Sequence, residues 1–223
     1  MIVDWLTLIG GTFGALLPIA NPFSTAPVFA ALTRRDTPLR RNEQARRAAL
    51  YMLMILIGAL LIGALVMTFF GITLPALRIA GGMIIAKVGF GMLNPAVDQN
   101  LSDASKDEAM LKQDIAFVPI ALPLLSGPGS IAVTIAMATE VEAAPEYLAI
   151  AAGILLVSFA SWLVLRSSSR VAEAMGVNGM NALTRLMGLV LVCIGVQFIF
   201  MGLLEALSSP QIAQILIEAY GSR

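Results

Sequence analysis

Leu17-Pro18-Ile19-Ala20-Asn21-Pro22-Phe23-Ser24-Thr25 and Leu122-Pro123-Leu124-Leu125-Ser126-Gly127-Pro128-Gly129-Ser130 decide how this chain is read. Each stretch lies inside an apolar segment long enough to cross a bilayer, and each interrupts that segment with prolines and small polar residues. Proline lacks the backbone donor and clashes with the preceding turn. Helix breaks are therefore expected at Pro18, Pro22, Pro123 and Pro128, about midway through the membrane. Each break frees backbone N–H and C=O groups, which cost several kcal/mol, roughly, when left bare in hydrocarbon. Such backbone persists only where protein or a wet cavity surrounds it. Asn21, Ser24, Thr25, Ser126 and Ser130 supply polar side chains there, and Gly127 and Gly129 let a ligand approach the main chain. Half-helices starting near Ser24 and Ser130 would present N–H donors and a positive dipole end to a small anionic group such as a carboxylate. These seven residues are the candidate substrate-binding set.

The composition around these stretches is that of a membrane protein. Of 223 residues, 58% are apolar and 13% charged, with mean hydropathy +0.87; soluble domains run about 45–50% and about 25%. Six apolar segments follow along the chain: about 5–31, 47–70, 73–94, 114–138, 147–165 and 184–207. A span takes about 20 residues, so six spans occupy nearly the whole length. The start, Met1-Ile2-Val3-Asp4-Trp5, lacks the basic region of a cleavable signal peptide, so the first segment is expected to be retained.

Charge sets the orientation. Lys+Arg is 14 and Asp+Glu is 14, which leaves no basic field for nucleic acid. Arg34, Arg35, Arg40, Arg41, Arg46, Arg47, Lys106, Lys112, Arg166, Arg170 and Arg185 fall on one side of the six-span topology, eleven of the fourteen basic residues. Glu140, Glu142 and Glu146 occupy a loop on the other. The positive-inside rule places the basic side in the cytoplasm, so both termini are expected in the periplasm of a bacterial inner membrane. The sequon Asn100-Leu101-Ser102 then lies on the wrong side for glycosylation and reads as chance, and the acidic run from Asp98 to Glu108 reads as a solvated loop.

The two halves align with each other. Pro18 matches Pro123, Pro22 and Ser24 match Pro128 and Ser130, and Arg78-x-x-Gly81 matches Arg185-x-x-Gly188. An odd number of spans per half inverts the second half in the membrane, the arrangement that puts paired broken helices at a transporter's site. The expected fold is an all-α membrane protein of six transmembrane segments in two inverted three-helix repeats, the first helix of each broken. Residues 1–95 form the first repeat, 96–113 a cytoplasmic polar linker, 114–207 the second repeat and 208–223 an external tail.

Other chemistry is narrow. The chain has no histidine and one cysteine, Cys193, so a Ser–His triad, an HExxH site, an internal disulfide and a CxxC motif are excluded. No enzyme, no cofactor and no metal site are expected. Lys87 in the third span is a candidate for coupling or polar contact, because an ionisable residue in a span is a functional candidate; snorkelling toward the cytoplasmic end is the competing role. Gln197 in the sixth is a second, with interhelical glue as its competing role. No acidic residue lies deep in a span, so proton coupling through a carboxylate has no support. Sodium held by unwound carbonyls and hydroxyls stays open, as does a facilitator without an ion. Gly10-x-x-x-Gly14 and Gly81-Gly82 permit close helix approach without deciding the oligomer.

The motif set resembles the MarC family of bacterial inner-membrane proteins. The resemblance rests on Leu17–Thr25, on Phe70-Gly71-Ile72-Thr73-Leu74-Pro75-Ala76-Leu77-Arg78-Ile79-Ala80-Gly81-Gly82 and on Ile115-Ala116-Phe117-Val118-Pro119. It extends to Ser126-Gly127-Pro128-Gly129-Ser130-Ile131 and to the run from Arg185 to Gln197. It implies six spans with both termini outside and an organisation similar to amino-acid exporters, with one relative regarded as a small neutral amino-acid transporter. The family pattern does not require Lys87. The expected function is transport or export of a small polar solute, with a neutral amino acid as the candidate, through a midplane site between the two broken helices. The partners are that small molecule and membrane lipid. The competing readings are a non-transporting membrane scaffold or accessory protein, and a lipid-carrier translocase with a laterally open groove.

Overall fold

The computed structural model describes residues 2–93, 115–141 and 143–208. The expected linker 96–113, with its sequon and acidic run, and the tail beyond 208 lie outside the described residues. Within them every regular element is helical: α1 (Ile2–Ala20), α2 (Pro22–Leu32), α3 (Pro38–Phe70), α4 (Leu74–Leu93), α5 (Ala116–Leu125, an irregular helical segment kinked at Val118 and Leu122), α6 (Pro128–Thr139), α7 (Ala144–Arg166) and α8 (Ser168–Leu207). The helices α3, α4, α7 and the Asn178–Leu207 part of α8 are each long and apolar enough to cross a membrane. The bent pair α1–α2 makes a fifth when counted as one span. Large apolar side chains such as Leu61, Leu65, Phe69, Phe90, Phe159 and Phe200 are exposed, as the outer surface of a protein solvated by lipid tails requires.

Two helices run further than the apolar pattern alone suggests. The second segment, expected over 47–70, begins at Pro38. Thr37 caps it by accepting the Arg40 N–H at 3.3 Å, Pro38 takes the first helical position where no donor is needed, and Arg47 pairs with Glu43 one turn back at 2.6 Å. Thirty-three residues make a helix about 50 Å long, against a hydrocarbon core of about 30 Å, so the arginine-rich turns project beyond it. Arg41 Nη2 donates to the Thr33 carbonyl at 3.1 Å, tying this extension to the negative C-terminal end of α2. The sixth segment, expected over 184–207, reaches back to Asn178, and Gly176 (φ 60, ψ −179) separates it from the preceding turns of α8. That backbone region is open essentially to glycine alone.

Tight caps set the turns. Gly71 at φ 65 ends α3, with the Ile72 N–H donating to the Met67 carbonyl at 2.9 Å and the Gly71 N–H to the Thr68 carbonyl at 3.2 Å, a Schellman closure. Thr73 then opens α4, its hydroxyl accepting the Ala76 N–H at 3.4 Å. The Tyr147 hydroxyl of α7 donates to the Ala138 carbonyl of α6 at 2.9 Å.

The closest packing joins α4 to α8. A Cβ placed on Gly82 would lie 2.5 Å from the Gly195 carbonyl oxygen, and one on Gly195 2.6 Å from the Gly82 carbonyl oxygen. Gly89 and Gly188 face each other in the same way, at 2.7 and 2.9 Å, and a Cβ on Gly202 would lie 2.9 Å from the Pro75 carbonyl oxygen. Position rises along α4 (75, 82, 89) as it falls along α8 (202, 195, 188), so the helices are antiparallel. Both series step by seven, the spacing that keeps one face turned to a supercoiling neighbour. Elsewhere α7 carries α1, α2 and α3, α3 also carries α5 and α6, α2 rests on α8 and α4 on α6. Gly82→Leu is expected to destabilise the protein by at least about 1–3 kcal/mol, the cost of overpacking, because the obstructing atoms are backbone. Gly58→Ala, with open space around its Cβ position, should leave the melting midpoint in detergent unchanged or slightly raised. Equal midpoints for wild type and Gly82→Leu would remove the seam from the account.

Candidate functional site

The first interruption is a single residue. α1 runs through Pro18 to Ala20, so the chain does not break at Pro18 as the sequence suggested; it breaks at Asn21. Asn21 adopts φ 40, ψ 62, a left-handed conformation that asparagine tolerates better than most residues. Its N–H closes α1 on the Leu17 carbonyl at 2.9 Å. Its side-chain oxygen accepts the Ser24 N–H at 3.2 Å and so caps α2. Pro22 supplies the donor-free first position. The Thr25 hydroxyl and N–H both donate to the Asn21 carbonyl at 3.3 Å. The two helices diverge by 44°.

The second interruption is longer, for a local reason. A residue before proline is pushed out of the α region by the ring. Val118 (φ −124, ψ 121) precedes Pro119, Leu122 (φ −129, ψ 117) precedes Pro123, and Gly127 (φ −63, ψ 169) precedes Pro128; all three are extended. The Ser126 N–H returns to the Ala121 carbonyl at 2.8 Å. The Ser130 hydroxyl reaches back across the break to the Leu125 carbonyl at 3.3 Å. No side chain caps α6, which leaves the amides of its first turn without the partner that Asn21 provides for α2.

The two interruptions adjoin. A Cβ on Gly129 would lie 3.4 Å from Ile19 Cγ2 in the first and 2.7 Å from Ile85 Cγ1 on α4. Asn21 Nδ2 donates to Met92 Sδ, also on α4, at 3.4 Å. Ile85 and Met92 are seven residues apart, so one face of α4 touches the two breaks at points about two turns apart. Asn21, Thr25, Ser126, Gly129 and Ser130 are buried, while Ser24 and Gly127 are half-buried. Among these polar side chains Asn21, Thr25 and Ser130 are engaged with backbone. The Ser126 hydroxyl, on a residue 1% exposed, has no partner among the described residues.

Lys87 and Gln197 are not part of this grouping. Both are exposed, and Lys87 lies across α4 from the buried Ile85 and Gly89. Cys193 is exposed too.

One charged cluster was not recognised from the sequence. Arg78, at the start of α4, donates Nη1 to Glu205 near the end of α8 at 2.7 Å and Nη2 to Glu140 just past α6. Its side chain is 13% exposed. The clue was present: the six-span topology expected from the sequence puts all three residues on the same side, and Arg78 is opposite in charge to Glu140 and Glu205.

Antiparallel spanning helices around two proline-broken segments that meet, with a polar lining at the junction, define a polytopic membrane protein. The chain belongs to the MarC family: the model of the MarC family integral membrane protein matches residues 6–207. The UPF0056 inner membrane proteins MarC of Salmonella typhimurium strain LT2, Citrobacter koseri and Escherichia coli strain UTI89 are each 39% identical to it, over 93% of this chain and 99% of theirs. No solved structure matches.

Arg78→Gln is expected to lower the melting midpoint by leaving two carboxylates close together without their cation. Glu205→Gln should cost more than Glu140→Gln, because the Glu140 side chain is 53% exposed against 36% for Glu205. Salt screens such exposed pairs, so the deficits should shrink in concentrated sodium chloride; a deficit that grows with salt would contradict the ion-pair account.

Proposed function

We propose that this protein is an inner-membrane transporter or exporter of a small polar solute, with a neutral amino acid as the class that fits. The reading takes the chain as six spans in two inverted three-helix repeats, with α5–α6 as the fourth span and both termini in the periplasm. The observation that carries it is the meeting of the two breaks, at Ile19 against Gly129, beside a buried Ser126 hydroxyl that no described residue satisfies. Interrupted helices that pair across two halves are the sequence and structural mark of a membrane transport site.

The repeat is supported by which elements touch. Exchanging α1 with α5, α2 with α6, α3 with α7 and α4 with α8 turns the α1–α7 pairing into α5–α3, α3–α6 into α7–α2, and α2–α8 into α6–α4, and all of these occur. Burial repeats as well. The buried positions 44, 45, 48, 49, 52, 56 and 60 of α3, each increased by 105, give 149, 150, 153, 154, 157, 161 and 165, all buried on α7. The same increment takes Asn21 to Ser126 and Thr25 to Ser130, both pairs buried. The orientation is supported by the arginine-rich start of α3 and by the end of α7 at Arg166, which the exchange and the antiparallel seam put on the same side.

The solute follows from the lining. Asn21, Ser24, Thr25, Ser126, Gly127, Gly129 and Ser130 offer hydrogen bonds and close backbone approach, and none is ionisable. The free amides at the start of α6 suit a carboxylate, and nearby hydroxyls suit an ammonium or hydroxyl group. A serine with no histidine or carboxylate partner is no nucleophile, so the site binds and releases without chemistry.

Purified protein in liposomes is expected to exchange radiolabelled neutral amino acids, and Ser126→Ala to lower the rate severalfold with the melting midpoint kept. Asn21→Ala should lower both, because it removes a cap worth about 1 kcal/mol as well as a lining group. No flux of any solute in the panel, or full flux in Ser126→Ala, would count against the reading; binding of acyl chains in place of amino acids would favour a lipid carrier.

A further inference from the structure

Seven hydroxyls in or at the ends of these helices are used locally. Thr25, Thr33, Thr68, Ser130, Thr134, Thr139 and Ser208 each donate to a carbonyl three to five residues back. Ser158, Ser161 and Ser168 do not. Their residues are 4%, 0% and 0% exposed, and their oxygens have no partner among the described residues. The indole N–H of Trp162 is in the same condition. Ser158 and Ser161 lie three residues apart on one face of α7, and Ser168 follows just past the helix end. A buried hydroxyl left bare costs about 1–3 kcal/mol, so three in one helix and its exit call for something beyond the described residues to bond them.

The other half shows that packing alone does not need them. The increment of 105 that relates the buried faces of α3 and α7 pairs Ser158 with Leu53, Ser161 with Leu56, Trp162 with Ile57 and Ser168 with Gly63. Leu56 is fully buried in an apolar core. One half is therefore apolar where the other is lined with hydroxyls, and the inverted arrangement puts these lengths of α3 and α7 on opposite sides of the breaks.

We infer that Ser158, Ser161, Trp162 and Ser168 line a hydrated path along α7 for a small neutral or zwitterionic polar solute, opening at the Arg166 end, on the cytoplasmic side. This rests on the transport reading and its orientation. The four lining groups offer donors and acceptors and no charge, so the path passes water and uncharged hydrogen-bonding molecules without selecting an ion. Arg166 stacks on the Trp162 ring with its guanidinium carbon 5.2 Å from the centroid and marks the mouth.

The test uses single cysteines in a Cys193→Ala background, with a membrane-impermeant methanethiosulfonate reagent applied to inside-out and right-side-out vesicles. Ser161→Cys and Ser158→Cys are expected to react at least about tenfold faster than Leu56→Cys and Leu53→Cys, since access limits thiol reactivity, and to do so from the cytoplasmic face. Serine to cysteine barely changes volume, and the melting midpoint of each variant identifies any that misfold. Two serine positions keep the comparison readable if one variant is lost. Ser158→Cys and Ser161→Cys as unreactive as the leucine-derived cysteines, or reactive only from the periplasmic face, would overturn the path. Wild-type flux measured in parallel separates the two ideas. Flux with unreactive cysteines overturns the path alone, and reactive cysteines without flux overturn transport alone.

Discussion

A peptide group in hydrocarbon has nowhere to turn for a hydrogen bond except the protein itself, and this structure is organised around meeting that demand at two places where proline makes it hardest. At the first, Asn21 meets it almost alone: its N–H closes one helix, its side-chain oxygen caps the next, and its carbonyl receives both donors of Thr25. At the second, three X–Pro steps pull the chain into extended backbone, and Ser130 recovers only the Leu125 carbonyl. The two halves thus solve the same problem unequally. The Ser126 hydroxyl and the first amides of α6 are the polar groups left over where the breaks meet.

The breaks are held together from outside. α4 contributes Ile85 to the Gly129 side and Met92 to Asn21, and its own position is set by the glycine seam with α8. Without a hydrophobic drive between helices in lipid, close backbone approach and dispersion decide association. Pro75, Gly82 and Gly89 facing Gly202, Gly195 and Gly188 fix the register of the two helices to within a residue. Arg78 adds a charged tie at one end, joining the start of α4 to α8 and to the end of α6. A shift of α4 by one turn would move Ile85 and Met92 off both breaks together.

Much of this was legible beforehand. Apolar length located α3, α4, α7, the later part of α8 and the bent α1–α2 pair, because the bilayer imposes one number on every helix, whereas the segment expected over 114–138 yields, beside the kinked α5, only the short apolar helix α6; Asn21-Pro22 and Gly127-Pro128 announced the breaks. The misses have physical reasons. Pro18 sits in an unbroken helix, since local sequence does not say whether neighbours can absorb a missing donor. The start of α3 at Pro38 was hidden because hydropathy ends at the membrane while helix capping does not; Thr37 and Pro38 were the readable sign. Ser158, Ser161 and Ser168 passed unnoticed because a lone serine in a helix ordinarily bonds its own backbone, and only coordinates tell which ones do not. Arg78, Glu140 and Glu205 are far apart in sequence and meet only through the antiparallel packing of α4 and α8.

The central claim is that the two breaks share one place, and a disulfide across them tests it most directly. Ile19→Cys and Gly129→Cys would be combined with Cys193→Ala, Ile85→Ala to make room for the new Cβ, and a protease site inserted between positions 94 and 114. After mild oxidation and cleavage, the two halves should migrate as one species that separates on reduction, while the Ile19→Cys and Gly58→Cys pair should not cross-link. Halves that part under non-reducing conditions in the Ile19–Gly129 variant would place the breaks apart and contradict the account.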